Sequence, residues 1–380
     1  MNTEKETLDY REAYEREKEK TRALAGKLAD AERKNEELEY RLQRIRGSFA
    51  WKLSAPLRAV LHATVRTMQR IGCYGSVRGV LAKLKSKSIE RKARKKHGTR
   101  SFPDEEERKR QEETVFPKKV TVSILVPLYN TPKRFLKEMI DSVTAQTYGG
   151  WELCLADGSD DTHTEVGAYC RERAAAERRI KYRRLEKNEG ISGNTNECLK
   201  LATGEYIGLF DHDDILHPAA LYEYMRVICE KDADYIYCDE CTFHGNSVDK
   251  MLTLHFKPDF SIDNLRANNY ICHFSVFHRR LLQGEELFRT KFDGSQDHDM
   301  ILRLTSHAKH IEHVPKLLYY WRSHKGSTAA DINSKSYAIE AARGAIADHL
   351  TRCGFREFEI LSTKAFETIF QIRYKVLGNP

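Results

Sequence analysis

The sequence predicts an α/β domain, a mostly parallel sheet flanked by helices, preceded by an N-terminal α-helical coiled coil. Three observations carry this. From Val120 onward, β-rich apolar runs alternate with helical stretches, the pattern of a parallel sheet covered on both faces. The runs end in polar residues: Pro127, Tyr129 and Asn130, then Asp157, Gly158 and Ser159, then Asp211 to Asp214. Carboxyl ends of neighbouring parallel strands converge on one crevice, where open α/β sheets bind their ligands. Ahead of the domain lies a segment of Glu, Lys, Arg, Leu and Ala with heptad spacing.

The predicted coiled coil occupies residues 1–46, with regular heptad spacing from Leu24 to Ile45. Leu28, Asn35 and Leu42 fall in the a positions and Leu24, Ala31, Leu38 and Ile45 in the d positions. Asn35 at a costs stability but favours a parallel homodimer in one register. Residues 47–118 read as a basic amphipathic helix and a charged linker. Leu57, Val60, Leu61, Val65, Met68 and Ile71 share a helical face, and "KLKSKSIERKARKKHGTR" follows. An apolar face beside a basic run suits an anionic membrane surface. Nucleic acid is the rival partner, but no nucleic-acid motif appears. "FPDEEERKRQEETVFPKK" reads as the charged linker.

The α/β domain spans residues 119–350. Its expected strands are "VTVSILVPLY", "WELCLADGS", "IKYRRLE" and "GEYIGLFDHDD", with helices around "KRFLKEMIDSVTAQT", "HTEVGAYCRERAAAE" and "SGNTNECLKLAT" between them. Residues 351–380 form a strand-like extension through "FETIFQIRYKVLGNP", expected to lead into a second module.

Composition bounds the function. The net charge of +8 is uneven, with Lys and Arg dense in the first half and acid around Asp211. The nine cysteines show no repeating spacing, so neither a disulfide framework nor a zinc site is expected, even from Cys238 and Cys241. There is no membrane-spanning run and no signal-peptide core, so the expected location is cytoplasmic, peripheral on the inner face of the plasma membrane. No P-loop and no G-x-G-x-x-G follows a strand. The acidic cluster in "LFDHDDILHP" therefore stands out. Carboxylates of one sign, crowded behind a buried strand, suit Mg²⁺ or Mn²⁺ with phosphate oxygens as co-ligands. A solvated turn is the plain alternative.

"VSILVPLYN", "ADGSDD", "NEGISGNTN" and "FDHDD", in this order, resemble a family 2 glycosyltransferase of GT-A fold. The resemblance continues through "DGSQDHDMILRL" and "YYWRSHKGS", so it covers about residues 120 to 330. It is nearest the bacterial cell-surface polysaccharide branch, with its rhamnosyl- and galactosyltransferases. "RIRGSFAWKLSAPLRA" also resembles a segment that joins a coiled coil to such domains. The resemblance implies an inverting enzyme. It would move a sugar from a UDP- or dTDP-linked donor to a hydroxyl of a glycan, including a lipid-linked one, with Mn²⁺ or Mg²⁺.

It also implies roles. Asp157 meets the nucleobase, with Pro127, Tyr129, Asn188 and Gly190 in the nucleotide pocket. Asp213 and Asp211 are the outer residues of a D-x-D motif. Asp213 holds the metal, Asp211 meets the ribose or the metal's hydration shell, and His324 completes the metal or diphosphate site. Arg322 pairs with the diphosphate. Asp297 is the catalytic base, while Asp299 has a structural part. Asn268, Asn269, Tyr270 and His273 lie where the family builds its acceptor wall. Asn194, Thr195 and Gln296 depart from the family's usual Ala, Arg and acid. The rival reading is a non-catalytic, membrane-tethered scaffold of the same fold.

Overall fold

The computed structural model of the chain describes residues 95–324, 336–364 and 366–375, with residue 88 and residues 91–93. All of these belong to one unit, Ser88–Pro380. The expected coiled coil of residues 1–46 and the amphipathic helix from Leu57 to Ile71 lie outside the described residues.

The strand-helix alternation of the sequence is realised as a curled α/β sheet with helices packed against it. In chain order the elements are α1 (Glu105–Glu112), β1 (Val122–Leu128), α2 (Lys133–Thr144), β2 (Trp151–Asp157), α3 (Thr164–Ala176), β3 (Ile180–Arg184), α4 (Gly190–Leu201), β4 (Tyr206–Leu209) and β5 (Ile215–Leu216). There follow α5 (Ala220–Lys231), β6 (Tyr235–His244), β7 (Met251–His255), α6 (Ile262–Ala267), β8 (Ser275–His278), α7 (Gln296–Thr305), β9 (Ile311–Ser323), α8 (Ser336–Arg352), β10 (Phe358–Ser362) and β11 (Phe370–Tyr374). The sheet order is β3-β2-β1-β4-β8-β6-β9-β5, with β7 paired to β6.

The first four strands are parallel, as expected. Beyond β4 the sheet is mixed. β8 enters antiparallel between β4 and β6, and β9 returns parallel to β6. Every residue of β1 and β2 is buried, which is what central strands covered on both faces require. On α2, Leu136, Met139, Ile140 and Val143 recur at helical spacing and form its buried stripe. Each such side chain contributes about 1.5–3 kcal/mol on leaving water. The hairpin of β10 and β11 puts Phe370 into the core that also holds Met300, Ile301 and Ile346.

The supposed linker contains a helix. Asp104 caps α1 by accepting from the Glu107 amide at 2.9 Å, and three glutamates occupy the first turn, where the helix dipole favours them. Its buried Gln111 accepts from Thr147 at 2.8 Å, and Arg108 donates to the Ala145 carbonyl at 3.0 Å. Strong capping and long-range contacts outweigh a composition that reads as solvated. Cys238 and Cys241 sit in different apolar clusters on β6, so they do not share a metal.

Two buried histidines give the fold a pH dependence. The His217 Nδ1 accepts from the Ala219 amide at 3.1 Å, and its Nε2 lies 3.2 Å from the Ser101 carbonyl, so the neutral ring suits both contacts. Burial pushes His217 down from 6.5 to about 4, and His349 likewise. Between those values the unfolded chain binds protons that the native chain refuses. Stability therefore falls with falling pH, by about 1.4 kcal/mol per pH unit per histidine, and levels off below about 4. Urea unfolding from pH 7 to 5 should show a shallower decline for His217→Gln than for the native chain. Equal slopes would refute the assignment.

Candidate active site

The site begins where β4 ends. All four residues of β4 are buried, and the Phe210 amide still donates to the Leu125 carbonyl at 3.1 Å. The chain then turns through three carboxylates with three different environments. Asp214 is fully buried, accepting from the Tyr319 hydroxyl and from the Arg322 amide at 2.7 Å. Burial, reinforced by the negative charges of Asp213 and Asp211, pushes its carboxyl well above the usual range. Asp213 Oδ2 lies 2.8 Å from His324 Nε2. Asp211 Oδ2 lies 3.4 Å from His273 Nε2, whose Nδ1 is 3.2 Å from the Leu209 carbonyl. A ring facing two acceptors is suited by the imidazolium, which donates from both nitrogens. Burial opposes that charge, but Asp211 overrides it and pushes His273 up to about 10. Reciprocally, burial works against ionisation of Asp211, and His273 holds its carboxyl below the usual range.

The arrangement fits a divalent cation. Two donor atoms on one octahedral ion sit about 3 Å apart. The Asp213 carboxylate and the His324 imidazole already bring an oxygen and a nitrogen to 2.8 Å. Among the described residues no group of three or more His, Cys, Asp and Glu side chains converges, so phosphate oxygens or water would supply the remaining ligands.

Arg322 corrects an expectation. Its side chain is fully buried, so a diphosphate cannot reach it. Nε donates to the Asp213 carbonyl at 2.6 Å, Nη1 to the Gly245 carbonyl at 2.7 Å and Nη2 to Glu138 at 2.6 Å. Phe135 and Phe243 cover its two faces, with centroids 4.7 and 4.6 Å away. It braces the carboxylate turn instead of meeting a ligand.

The neighbouring strand ends are tied together. Asn130, in the left-handed region that Asn tolerates, donates its amide to Ser159 Oγ at 2.9 Å and exchanges side-chain bonds with Asp160. Tyr129 beside it is half-exposed, open to a planar ligand. Gly158 passes so close to the next loop that a Cβ would lie 3.1 Å from the Asn188 Cα. Asn188 Oδ1 accepts from the Gly190 amide at 3.1 Å and from Asn194 at 2.9 Å, and Asn194 accepts from the Glu189 amide at 3.0 Å. Asn194 thus staples the loop that starts α4, and Gly190 supplies its positive φ of 77°.

Asp157 is the second correction. It is fully buried, and its carboxylate accepts from the Ser159 amide at 2.9 Å and the Tyr182 hydroxyl at 2.8 Å, with Arg184 at 3.3 Å. In this arrangement it anchors the turn, and no face of the carboxylate is open to a base.

Asp297 stands at the start of α7, where backbone amides and the helix dipole favour a negative charge. Two spaces meet at it. A narrow cleft contains Pro127, Thr195, Asp211 and His273 as well as Asp297. A larger cleft of about 620 Å³ is lined by Asn268, Asn269, Tyr270, Trp321 and Phe370, again with Asp297. Asn269 Nδ2 donates to Asp297 Oδ2 at 2.9 Å. Tyr270 accepts from the Ser261 amide at 2.9 Å, which orients its ring along the wall. Asp299, two residues on, is buried and accepts from Arg289 and Arg303, a structural part as expected. His298 bonds the Leu265 carbonyl at 2.7 Å as a core residue.

Sequence reasoning passed over Tyr319, Trp321, Glu240 and Lys257. The Lys257 side chain is buried against Glu240, with Nζ 2.9 Å from Oε2. Burial pulls its pKa down, but the Glu240 carboxylate outweighs this and raises it. No local pattern marks these residues, because partners such as Asp214 for Tyr319 and Glu240 for Lys257 lie far along the chain.

Residues 123–284 match the family described as glycosyl transferase family 2. The chain is similar to the uncharacterised protein y4gI of Sinorhizobium fredii, 43% identical over 236 residues that make up 61% of this chain and 25% of that protein. It is 30% identical to the O-antigen biosynthesis protein RfbC of Myxococcus xanthus over 68% of this chain and 20% of that protein. The chain therefore spans about a quarter or less of the length of these relatives. Among solved structures, S. aureus TarS in complex with UDP-GlcNAc superimposes with a TM-score of 0.49 at 20% identity, over 60% of this chain and 66% of that one.

Proposed function

Because residues 123–284 match the glycosyl transferase family 2 description, we propose that this chain is an inverting, metal-dependent glycosyltransferase acting on a nucleotide-sugar donor. The observation that carries the reading is the position of Asp297 at the wall shared by two clefts. The donor's ribose and diphosphate lie on the Asp211 side of Asp297, and Tyr129 and Pro127 flank the nucleotide. The larger cleft receives the acceptor against Asn268, Asn269 and Tyr270.

Asp297 accepts the proton of the acceptor hydroxyl as its oxygen attacks the anomeric carbon. The bond from that carbon to the diphosphate breaks on the opposite face, so one displacement inverts the centre. Asn269 holds the carboxylate toward the hydroxyl. Asp213 and His324 would hold Mn²⁺ or Mg²⁺, with Asp211 beside them. A bound ion would supply Lewis-acid stabilisation of the departing nucleoside diphosphate.

The acceptor is a glycan of the cell surface, carried on a lipid. The RfbC similarity supports the polysaccharide class. The donor is UDP- or dTDP-linked. The purified chain, offered a panel of UDP- and dTDP-sugars with Mn²⁺ and lipid-linked glycan acceptors, should transfer one sugar with inversion. The absence of both turnover and nucleotide binding would sink the reading in favour of a non-catalytic scaffold.

The partners proposed for residues 1–118 are a second copy, through a parallel coiled coil, and an anionic membrane on its cytoplasmic side. No described helix is long and apolar enough to cross a membrane. The chain should sediment with anionic vesicles at low salt, be released as salt rises, and scatter light as a dimer. A monomer indifferent to vesicle charge would refute both.

A further inference from the structure

We propose that Lys257 is a positioning residue that couples the base to the donor side by clamping the segment 268–274. The inference rests on the reading of Asp297 and Asp211 given above. That segment carries both groups' partners. At one end Asn269 donates to Asp297 at 2.9 Å, and at the other His273 faces Asp211 at 3.4 Å. The stretch between them has no regular secondary structure, so its carbonyls find no partners in a strand ladder.

Lys257 supplies them. Its Nζ donates to the Ile271 carbonyl at 2.6 Å and the His273 carbonyl at 2.7 Å, and the third bond goes to Glu240 at 2.9 Å. Three hydrogens meet three acceptors, and the side chain is 3% exposed. The Lys257 amide donates to Asp239 Oδ1 at 2.8 Å, which ties the clamp to β6. Cys272 sits between the two held carbonyls. Its amide donates to Asn269 Oδ1 at 3.2 Å, and its carbonyl accepts from Ser275 at 2.7 Å. One ammonium thus fixes the distance between the group that activates the acceptor and the group that faces the donor.

The test compares the native chain with Lys257→Met and with Lys257→Met/Glu240→Gln. The double variant avoids leaving an unpaired buried carboxylate where the single one fails to fold. The first readout is alkylation of Cys272 by iodoacetamide, mapped by mass spectrometry, with the buried Cys154, Cys170 and Cys198 as controls. The second is transfer, normalised to nucleotide-binding sites. Cys272 should react at least about tenfold faster while the controls stay protected, the signature of local opening. The kcat should fall about 100-fold with the donor KM within about threefold, because the base is misplaced and binding is not. Adding Asp297→Asn should cost little more, since the two act as a unit.

An unchanged Cys272 rate overturns the clamp. Exposure of all the control cysteines also overturns it, making Lys257 a general support of the fold. A kcat per site within about threefold of native overturns the coupling. A native chain that transfers no sugar at all sinks the glycosyltransferase reading instead, and the Cys272 rate then decides the clamp alone.

Discussion

Asp297→Asn should abolish most sugar transfer, by roughly 10²–10⁴-fold, while leaving nucleotide binding near native. The reasoning is steric as much as chemical. Asn keeps the shape of Asp, so α7 retains its first turn and the amide oxygen still accepts from Asn269. What is lost is the lone pair basic enough to take a proton from the acceptor hydroxyl. Since Asp297 lines both clefts, the donor side keeps Pro127, Asp211 and His273 intact. Calorimetry with UDP and UDP-sugars should therefore give native-like binding, while product formation disappears. Transfer at near-native rate would mean that another group takes the proton, and the assignment of the base would fail.

Asp213→Asn should produce the complementary phenotype, in which donor binding itself weakens and metal no longer restores it. Asp213 and His324 bring two donor atoms to 2.8 Å, and Arg322 holds the Asp213 carbonyl at 2.6 Å, so the carboxylate is presented on a braced turn. Replacing the charge by an amide removes the stronger ligand without disturbing that brace. Affinity for a nucleoside diphosphate in Mn²⁺ should drop by a factor of 30 or more, about 2 kcal/mol. A chelator should bring the native chain to the same weak affinity, and added Mn²⁺ should rescue the native chain alone. Metal-stimulated binding of native strength in Asp213→Asn would remove Asp213 from the site. A parallel measurement on Asp297→Asn separates the two outcomes, because only its transfer is expected to fail.

These expectations draw unequally on sequence and structure. The carboxylate turn after β4 was legible because an apolar run that ends in three acids marks the carboxyl end of a buried strand. Asp211, Asp213 and Asp214 looked alike in the sequence, however. The fold separated them: a buried acid bonded to Tyr319, one facing His324 and one facing His273. Arg322 shows the opposite failure. Its motif context suggested a phosphate contact, yet two phenylalanines and three acceptors enclose it. Asp157 likewise reads as a ligand at a strand end and is instead closed off by Tyr182 from the next strand. In the segment 105–112 the charge run concealed a helix, although Asp104 ahead of three glutamates was a visible capping signal.

By itself the sequence determined the order of the elements, the parallel half of the sheet and the strand ends on which acids would gather. Those properties follow from local periodicity and from short-range chemistry, each readable within a window of about ten residues. Only the tertiary structure decided which of those acids stay exposed, that Asn269 reaches Asp297 and that Lys257 clamps the segment between them. Such contacts join residues far apart in the chain, carried on irregular segments and on the start of α7. Their existence depends on strand order and register beyond β4, where β8 inserts antiparallel between β4 and β6. A side chain's partner there is set by the packing of the whole domain, and no local pattern encodes it.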